Sequence, residues 1–439
     1  MGKIVAKFGG SSLSDAGQFH KVRDILQMDP RRCYVVPSAP GRRFDDDEKI
    51  TDLLYRTYQL KEEGKDYHST FALVRERFLT ITKDLGLSLN MAGALEEIEN
   101  RLEAGCGRDY CASRGEYLNG LILADFLGFP FLDPKDFVLF EADGSFSSER
   151  TQELLSGILK DLETAVIPGF YGSLPDGSIH TFSRGGSDIS GAIVARAAYA
   201  DVYENWTDVN GFLMADPKVV ANALPIRNIT YRELRELSYM GATVLHEDSV
   251  FPVHRAGIPT NIRNTNHPEH QGTMITHGAV GEINPYVITG IAGKTGFSVI
   301  SVEKAMMNVE RGFGRRVLQA VEEAGLSFEH LPTGIDTLCV VLSSEELKPR
   351  KEQVISRIME LTSPDTLTIH DNMGLIATVG RGMVHNPGTA ARLFTALSKA
   401  HVNVRMIDQG SSELSILVGV DHQDFEAAIR AIYHEFVGM

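Results

Sequence analysis

Four short runs combine glycine, hydroxyl and charge in patterns suited to handling anions. In Lys7-Phe8-Gly9-Gly10-Ser11-Ser12 an apolar stretch ends in a lysine and two glycines, and serines open the next segment. Backbone amides, room for close approach and a positive charge then coincide, which is what a phosphate site needs. The lysine precedes the glycines, so the run is not a GxxxxGK[ST] loop, and the HRD and DFG signatures of protein kinases are absent. Ser183-Arg184-Gly185-Gly186-Ser187-Asp188 repeats the arrangement before a second helical stretch. Arg184 can fork a carboxylate, whereas Asp188 serves a phosphate only by orienting a lysine or a metal, and is otherwise an ordinary first-turn helix acid. Two such turns, each with a cation, suit a site for two anionic reactants. Ser113-Arg114-Gly115-Glu116 precedes the helical YLNGLILADFLG, where Glu116 reads as an acid favouring a helix N-terminus. Trp206-Thr207-Asp208-Val209-Asn210-Gly211 leads on to Ala215-Asp216-Pro217-Lys218, polar residues at the end of a strand, where open α/β sheets bind ligands.

These runs need a scaffold, and its pattern is one of alternating strands and helices. KIVAKFGG reads as a buried strand, SSLSDAGQFHKVRDIL as a helix and CYVVPSAP as a second strand; a long helical stretch runs from Asp52 to about Leu102. FPFLD, AVIPGFYG, IHTFSRGG and DVYENWTDV are further strand candidates. The expectation is an α/β domain with a mostly parallel sheet. Past Gly281 the elements shorten and a pattern recurs. One copy contains FSVISVE, the turn Glu310-Arg311-Gly312-Phe313, RRVLQAVEEAG and TLCVVL; the other contains GLIATVG, Asn386-Pro387-Gly388, TAARLFTALSKA and LSILVGV. Each copy reads as a ferredoxin-like βαββαβ unit with an incomplete tail. The expected division is 1–280, 281–372 with a connecting strand, and 373–439.

Composition narrows the function classes. The 439 residues exceed what one core supports, and 43% hydrophobic with 23% charged residues is an ordinary globular balance. A formal charge of −15 argues against a nucleic-acid binder or a membrane-surface binder. Four scattered cysteines make neither a disulfide framework nor a zinc site, no apolar run is long enough to span a membrane, and no signal peptide opens the chain. A cytoplasmic protein is expected. No GxGxxG turn occurs, so neither a fused dehydrogenase domain nor NAD(P) binding is expected.

Taken together and in order, the runs resemble the aspartate kinases of the amino acid kinase family. KFGGSS is similar to that family's KFGG[ST]S, SRGE to its SxGE, SRGGSD to its GRGGSD and WTDVNG…DP to its WTDVxG…DPR; the C-terminal repeat, with Gln409-Gly410-Ser411-Ser412-Glu413, resembles its paired ACT domains. The resemblance implies that Lys7, Gly9, Gly10 and Ser11 meet the phosphates of ATP, brought with Mg²⁺, and that Asp188 orients the charges around them. It puts Thr207, Asp208, Asp216 and Lys218 on the nucleotide side. Glu116 takes the ammonium of L-aspartate and Arg184 its α-carboxylate, with Ser38, Thr51 and Ser187 lining the same site. No resident metal is implied. The implied product is L-aspartyl 4-phosphate.

The chain departs from the family at Thr243, where a lysine is expected in GAKVLHP, at Leu213 and Lys218 in GIYTTDPR, and in the extra stretch GRRFDDDEK. Arg42, Arg43 and Lys218 are the candidates to restore the missing charge. An amino acid effector, lysine or otherwise threonine, is expected at Met307, Val309, Glu310, Gly312 and Phe313, with Asp336 or Glu329 for a lysine ammonium. A homodimer or higher homo-oligomer through the ACT units is implied. The competing readings are another kinase of the family, such as glutamate 5-kinase, and a non-catalytic amino-acid sensor.

Overall fold

The computed structural model describes residues 2–183, 185–242, 245, 247–278 and 285–438, without the side chains of Glu247 and Asp248. Two units emerge, interleaved in sequence: the first holds residues 1–212, 227–231 and 243–282, the second 213–226, 232–242 and 283–439.

In the first unit β1 (Ile4–Phe8), β2 (Arg32–Pro37), β3 (Ala165–Val166), β6 (Val202–Thr207), β7 (Asn228–Thr230), β8 (Thr260–Asn264) and β9 (Thr273–Thr276) form a sheet of order β3-β2-β1-β6-β8-β9-β7. All its pairings are parallel except β8 with β9. A separate antiparallel pair joins β4 (Tyr171–Ser173) to β5 (Ile179–Thr181). FPFLD is not a strand; it contributes one isolated bridge from Phe131 to Val166. The expected long helix is three, α2 (Ile50–Glu62), α3 (His68–Asp84) and α4 (Met91–Glu103), because Gly64 and Gly86 take positive φ and end the first two. Together with α1 (Ala16–Met28) and α5 (Arg108–Leu127) they share one apolar core with Ala6, Phe8 and Trp206. Side chains alternate along a strand, so Lys7 on β1 and its register partner Asn205 on β6 point away from that core. That face belongs to α7 (Gly186–Ala197), which follows α6 (Ser148–Lys160).

The second unit is built on an antiparallel sheet of order β11-β10-β12-β14-β13, comprising β10 (Gly290–Glu303), β11 (Thr337–Ser343), β12 (Thr366–Val379), β13 (Val404–Asp408) and β14 (Ser415–Asp421). Its two 14-residue strands each serve both repeats. Residues 297–303 pair with β11 and with the first half of β12, completing the first repeat, whereas residues 290–295 pair with 374–379. The segment read as a connection thus supplies the missing tail strand of the second repeat. Both strands change allegiance at a kink. The register shifts on either side of Phe297, next to Gly296 (φ +89°), and Asn372 takes φ +61° beside Met373, the partner of Phe297.

Candidate active site

The first glycine turn leaves the C-terminal end of β1. Gly9 donates its amide to the Trp206 carbonyl at 2.9 Å, and the Ser12 amide closes on the Gly9 carbonyl at 3.0 Å, leaving the Gly10 and Ser11 amides ahead of that first turn hydrogen bond. A Cβ on Gly10 would come within 2.9 Å of the Ala39 carbonyl oxygen, so the close passage of the two chains requires glycine there. The turn does not open α1 directly, as the sequence suggested. A 3₁₀ segment, Gly10–Leu13, intervenes, and α1 is capped by its own Asp15, which accepts from the Gln18 amide at 3.0 Å. Any anion here is met by loop amides rather than by the end of α1.

Behind this turn Lys7, 7% exposed, places Nζ 2.5 Å from Asp188 Oδ1. Asn205 completes the triangle: Nζ donates to its Oδ1 at 3.3 Å, while its Nδ2 donates to Asp188 Oδ1 at 2.9 Å. Asp188 lies in the first turn of α7, which follows Gly185 in the left-handed region (φ +57°). Asn205 belongs to no motif in the sequence; only the β1–β6 register reveals it.

Glu116 is not at a helix start. It is the ninth residue of α5, and the SRGE run lies inside that helix, which begins at Arg108. Burial pushes its carboxyl up to about 7, only partly offset by the Ala39 backbone and the Ser187 hydroxyl, whose Oγ donates at 3.5 Å. Its Oε2 has no hydrogen-bond partner among the described residues, nor has Oδ1 of Asn119 one turn away, whose Nδ2 donates to the Ser38 carbonyl at 2.6 Å. A buried acceptor without a donor carries a desolvation penalty that a cationic ligand relieves. Arg114, its neighbour in α5, does not supply that donor: its guanidinium lies 4.5 Å from the Tyr110 and Tyr117 ring centroids and donates to Ser113 Oγ.

These groups converge on a cleft of about 570 Å³. Gly10, Ser11, Ser38, Thr51, Glu116, Ser187 and Asp208 all line it. Thr207 lies beside Asp208 and donates to its Oδ1 at 3.2 Å. Arg184 and Thr243 fall outside the described residues. Asp216 and Lys218 fold with the second unit, where the Lys218 amide donates to Asp216 Oδ1 at 2.8 Å. The extra stretch GRRFDDDEK supplies a further wall of the cleft, residues 41–45 and Lys49, and Gly41 in it is tied down by Arg77 of α3, which sequence reasoning missed.

At the turn proposed for an effector, Gly312 takes φ +75° and opens the helix Phe313–Glu323, with Met307 and Phe313 buried and Val309 exposed. Glu310 is already paired, with Lys304 at 2.7 Å and with Arg316, which hold its carboxyl below the usual range. Glu329 accepts from the Tyr239 hydroxyl.

The sequence matches the amino acid kinase family over residues 2–264 and an ACT domain over residues 376–436. Aspartokinase 3 of Bacillus subtilis is 39% identical over 448 residues, covering 98% of both chains. A crystal structure of the aspartate kinase of Clostridium acetobutylicum, described as an important allosteric enzyme, is 47% identical with a TM-score of 0.92, covering 99% of this chain and 100% of that one. E. coli aspartokinase III in complex with aspartate and ADP, 24% identical and covering 99% of both chains, shares the fold at a TM-score of 0.73. The chain belongs to the amino acid kinase family and, within it, to the aspartate kinases.

Proposed function

We infer that the chain transfers the γ-phosphoryl group of ATP to the β-carboxylate of L-aspartate, giving L-aspartyl 4-phosphate and ADP. One observation carries this reading: the buried carboxylate of Glu116, whose Oε2 has no partner among the described residues, shares a cleft with Gly10 and Ser11 of the glycine turn, and Lys7 Nζ lies against that turn, 3.7 Å from where a Cβ on Gly9 would sit. An amino acid presents an ammonium to the first and an acceptor carboxylate toward the second. No catalytic base is required, since a β-carboxylate with a reference pKa near 4 is already ionised at neutral pH. An oxygen–phosphorus bond forms as the bond from Pγ to the β,γ-bridging oxygen breaks, and the electron pair leaves on ADP. The protein's task is to bring two anions together and stabilise the charge in flight. Lys7 does so, held toward the turn by Asp188 and Asn205. Gly9, Gly10 and Ser11 cradle the phosphates, and Thr207, Asp208, Asp216 and Lys218 serve the nucleotide. Ser38, Thr51, Ser187 and Arg184 complete the aspartate site. The nucleotide arrives as MgATP.

Residues 1–280 form the catalytic domain in this reading, with regulation assigned to 281–372 and 373–439. The ACT match and the allosteric character stated for the Clostridium enzyme support feedback control, with lysine as the proposed effector at Met307–Phe313. Because Glu310 is consumed by Lys304 and Arg316, the lysine ammonium is assigned to Asp336 or Glu329. A cytoplasmic homodimer is the proposed form. No described helix is long and apolar enough to cross a membrane. Trapping the product with hydroxylamine tests the reaction: a hydroxamate forms with aspartate and MgATP. Formation with glutamate instead would favour glutamate 5-kinase, and none with either would favour a sensor.

A further inference from the structure

Two polyanions have to meet in this cleft, yet most of the cations around it already have partners within the protein. Lys7 faces Asp188. Arg43 and Arg77 both spend their guanidinium groups on Asp47: Arg43 donates from N, Nε and Nη2 at 2.9, 2.8 and 3.0 Å, and Arg77 Nη2 donates at 2.8 and 2.6 Å. Arg114 is enclosed by tyrosine rings. Arg42 differs. It lines the cleft, and its one hydrogen bond among the described residues runs to the Asp45 carbonyl at 3.5 Å, the outer limit for such a bond.

The backbone at Arg42, an exposed residue, is fixed from both sides. The Gly41 amide donates to the Gly10 carbonyl at 2.8 Å, so Arg42 is one residue from a backbone contact with the phosphate turn. A Cβ on Gly41 would approach the Gly10 carbonyl carbon to 2.6 Å, which shows how tightly the two segments are apposed. Arg77, buried in α3, donates Nη1 to the Gly41 carbonyl at 2.9 Å while gripping Asp47, which in turn holds the backbone amide and side chain of Arg43. One buried guanidinium and one carboxylate thus pin the residues flanking Arg42. Lys49, the third cation on this wall after Arg42 and Arg43, sits at the far end of the loop, immediately before α2.

We propose that Arg42 is a catalytic residue that engages the γ-phosphoryl oxygens of ATP, and that Arg77 and Asp47 are positioning residues that hold it against the Gly9-Gly10 turn. The proposal rests on the phosphotransferase reading above. Arg42 donates hydrogen bonds and positive charge and gives up no proton, as a guanidinium stays charged throughout. A planar fork suits the equatorial phosphoryl oxygens over which negative charge is spread in the transition state.

Two measurements on the full chain separate this proposal from the reading it rests on. Binding of the non-hydrolysable Mg²⁺ complex of adenylyl imidodiphosphate, compared with that of MgADP, reads the γ-position without any acceptor. Arg42→Ala should weaken the triphosphate analogue about tenfold and MgADP less than twofold. In the hydroxamate assay the same variant should lower kcat on the order of 10²-fold, the scale for losing one preorganised donor. Arg42→Lys should recover part of the loss, and guanidinium ion at millimolar concentration should partly rescue Arg42→Ala. Asp47→Asn should lower kcat about tenfold without changing MgADP affinity, and Asp47→Glu should restore part of it. Equal affinities of wild type and Arg42→Ala for both nucleotides would overturn the proposal. If the analogue discriminates but wild type forms no acyl phosphate, the aspartate reading falls and the γ-phosphate contact stands.

Discussion

Strand β6 carries an ionic network on each face, and the two are built for different ends. On the core side Glu204 accepts from Arg32 Nε and Nη2 at 2.7 and 3.1 Å and from Trp206 Nε1 at 2.8 Å, with Arg263 Nη1 at 3.5 Å. Both guanidinium groups also lie over the Trp206 ring, 5.2 and 4.6 Å from its centroid, and Arg32 donates its last arm to the Ile25 carbonyl at 2.6 Å. One carboxylate there is shared by two guanidinium groups inside the protein, and Arg263 Nε lacks a hydrogen-bond partner among the described residues. On the other face Lys7, Asp188 and Asn205 form a smaller triangle just behind the glycine turn, with the Asp188 side chain 20% exposed. The first network fixes Trp206, whose carbonyl holds Gly9; the second keeps a lysine poised for a ligand. A buried ion pair is therefore no guide to function by itself; what marks the site is charge with capacity left over.

Removing one partner from the closed network should have the largest effect on folding. Glu204→Ala leaves two buried guanidinium groups without their shared acceptor and should cost about 3–5 kcal/mol of stability, measured by denaturant unfolding. A loss below about 1 kcal/mol would erase the contrast between the faces. Any activity surviving at low temperature should keep its aspartate KM.

Glu116 sharpens the comparison through pH. Its carboxyl holds a proton up to about 7 in the folded chain, against 4.5 ordinarily. The folded state therefore binds more protons than the unfolded between those values, so stability of the unliganded protein should fall as pH rises from about 4.5 to about 7, by about 3 kcal/mol, then level off. Glu116→Gln should remove that slope. Since an ammonium prefers the ionised form, the aspartate KM should rise as pH drops below about 7, and the same variant should flatten that profile at a raised KM. A KM independent of pH between 5.5 and 8 would contradict the ammonium role. Smaller again, Ser12→Ala deletes a buried 2.7 Å hydrogen bond between its hydroxyl and that of Thr265 and should cost about 1 kcal/mol in stability, with kcat little changed.

How much of this was legible in the sequence depended on whether the relevant neighbours were close in the chain. Lys7, the glycine turns and Asp188 announce themselves by local spacing. Glu116 was singled out, but its setting was misread, because Ser-Arg-Gly looks like the start of a helix; inside α5, Gly115 is required by packing, since a Cβ there would meet Ala39 Cβ at 2.8 Å. Asn205 and Arg77 gave no signal. One acts through strand register and the other from 30 residues beyond Asp47. The repeats are visible as local patterns, yet the exchange of residues 290–295 into the second repeat follows from pairing across about 80 to 90 residues, which periodicity does not encode.

The most direct test of the division between the faces of β6 is Lys7→Met, assayed for aspartyl hydroxamate formation and for its thermal midpoint on the same preparation. The account predicts a fall in kcat on the order of 10²–10³-fold, with KM values little altered and the midpoint near that of wild type, because a charge needed in the transition state has gone while the closed network around Glu204 is untouched. A variant that keeps wild-type kcat, or loses activity only in proportion to unfolding, would contradict it.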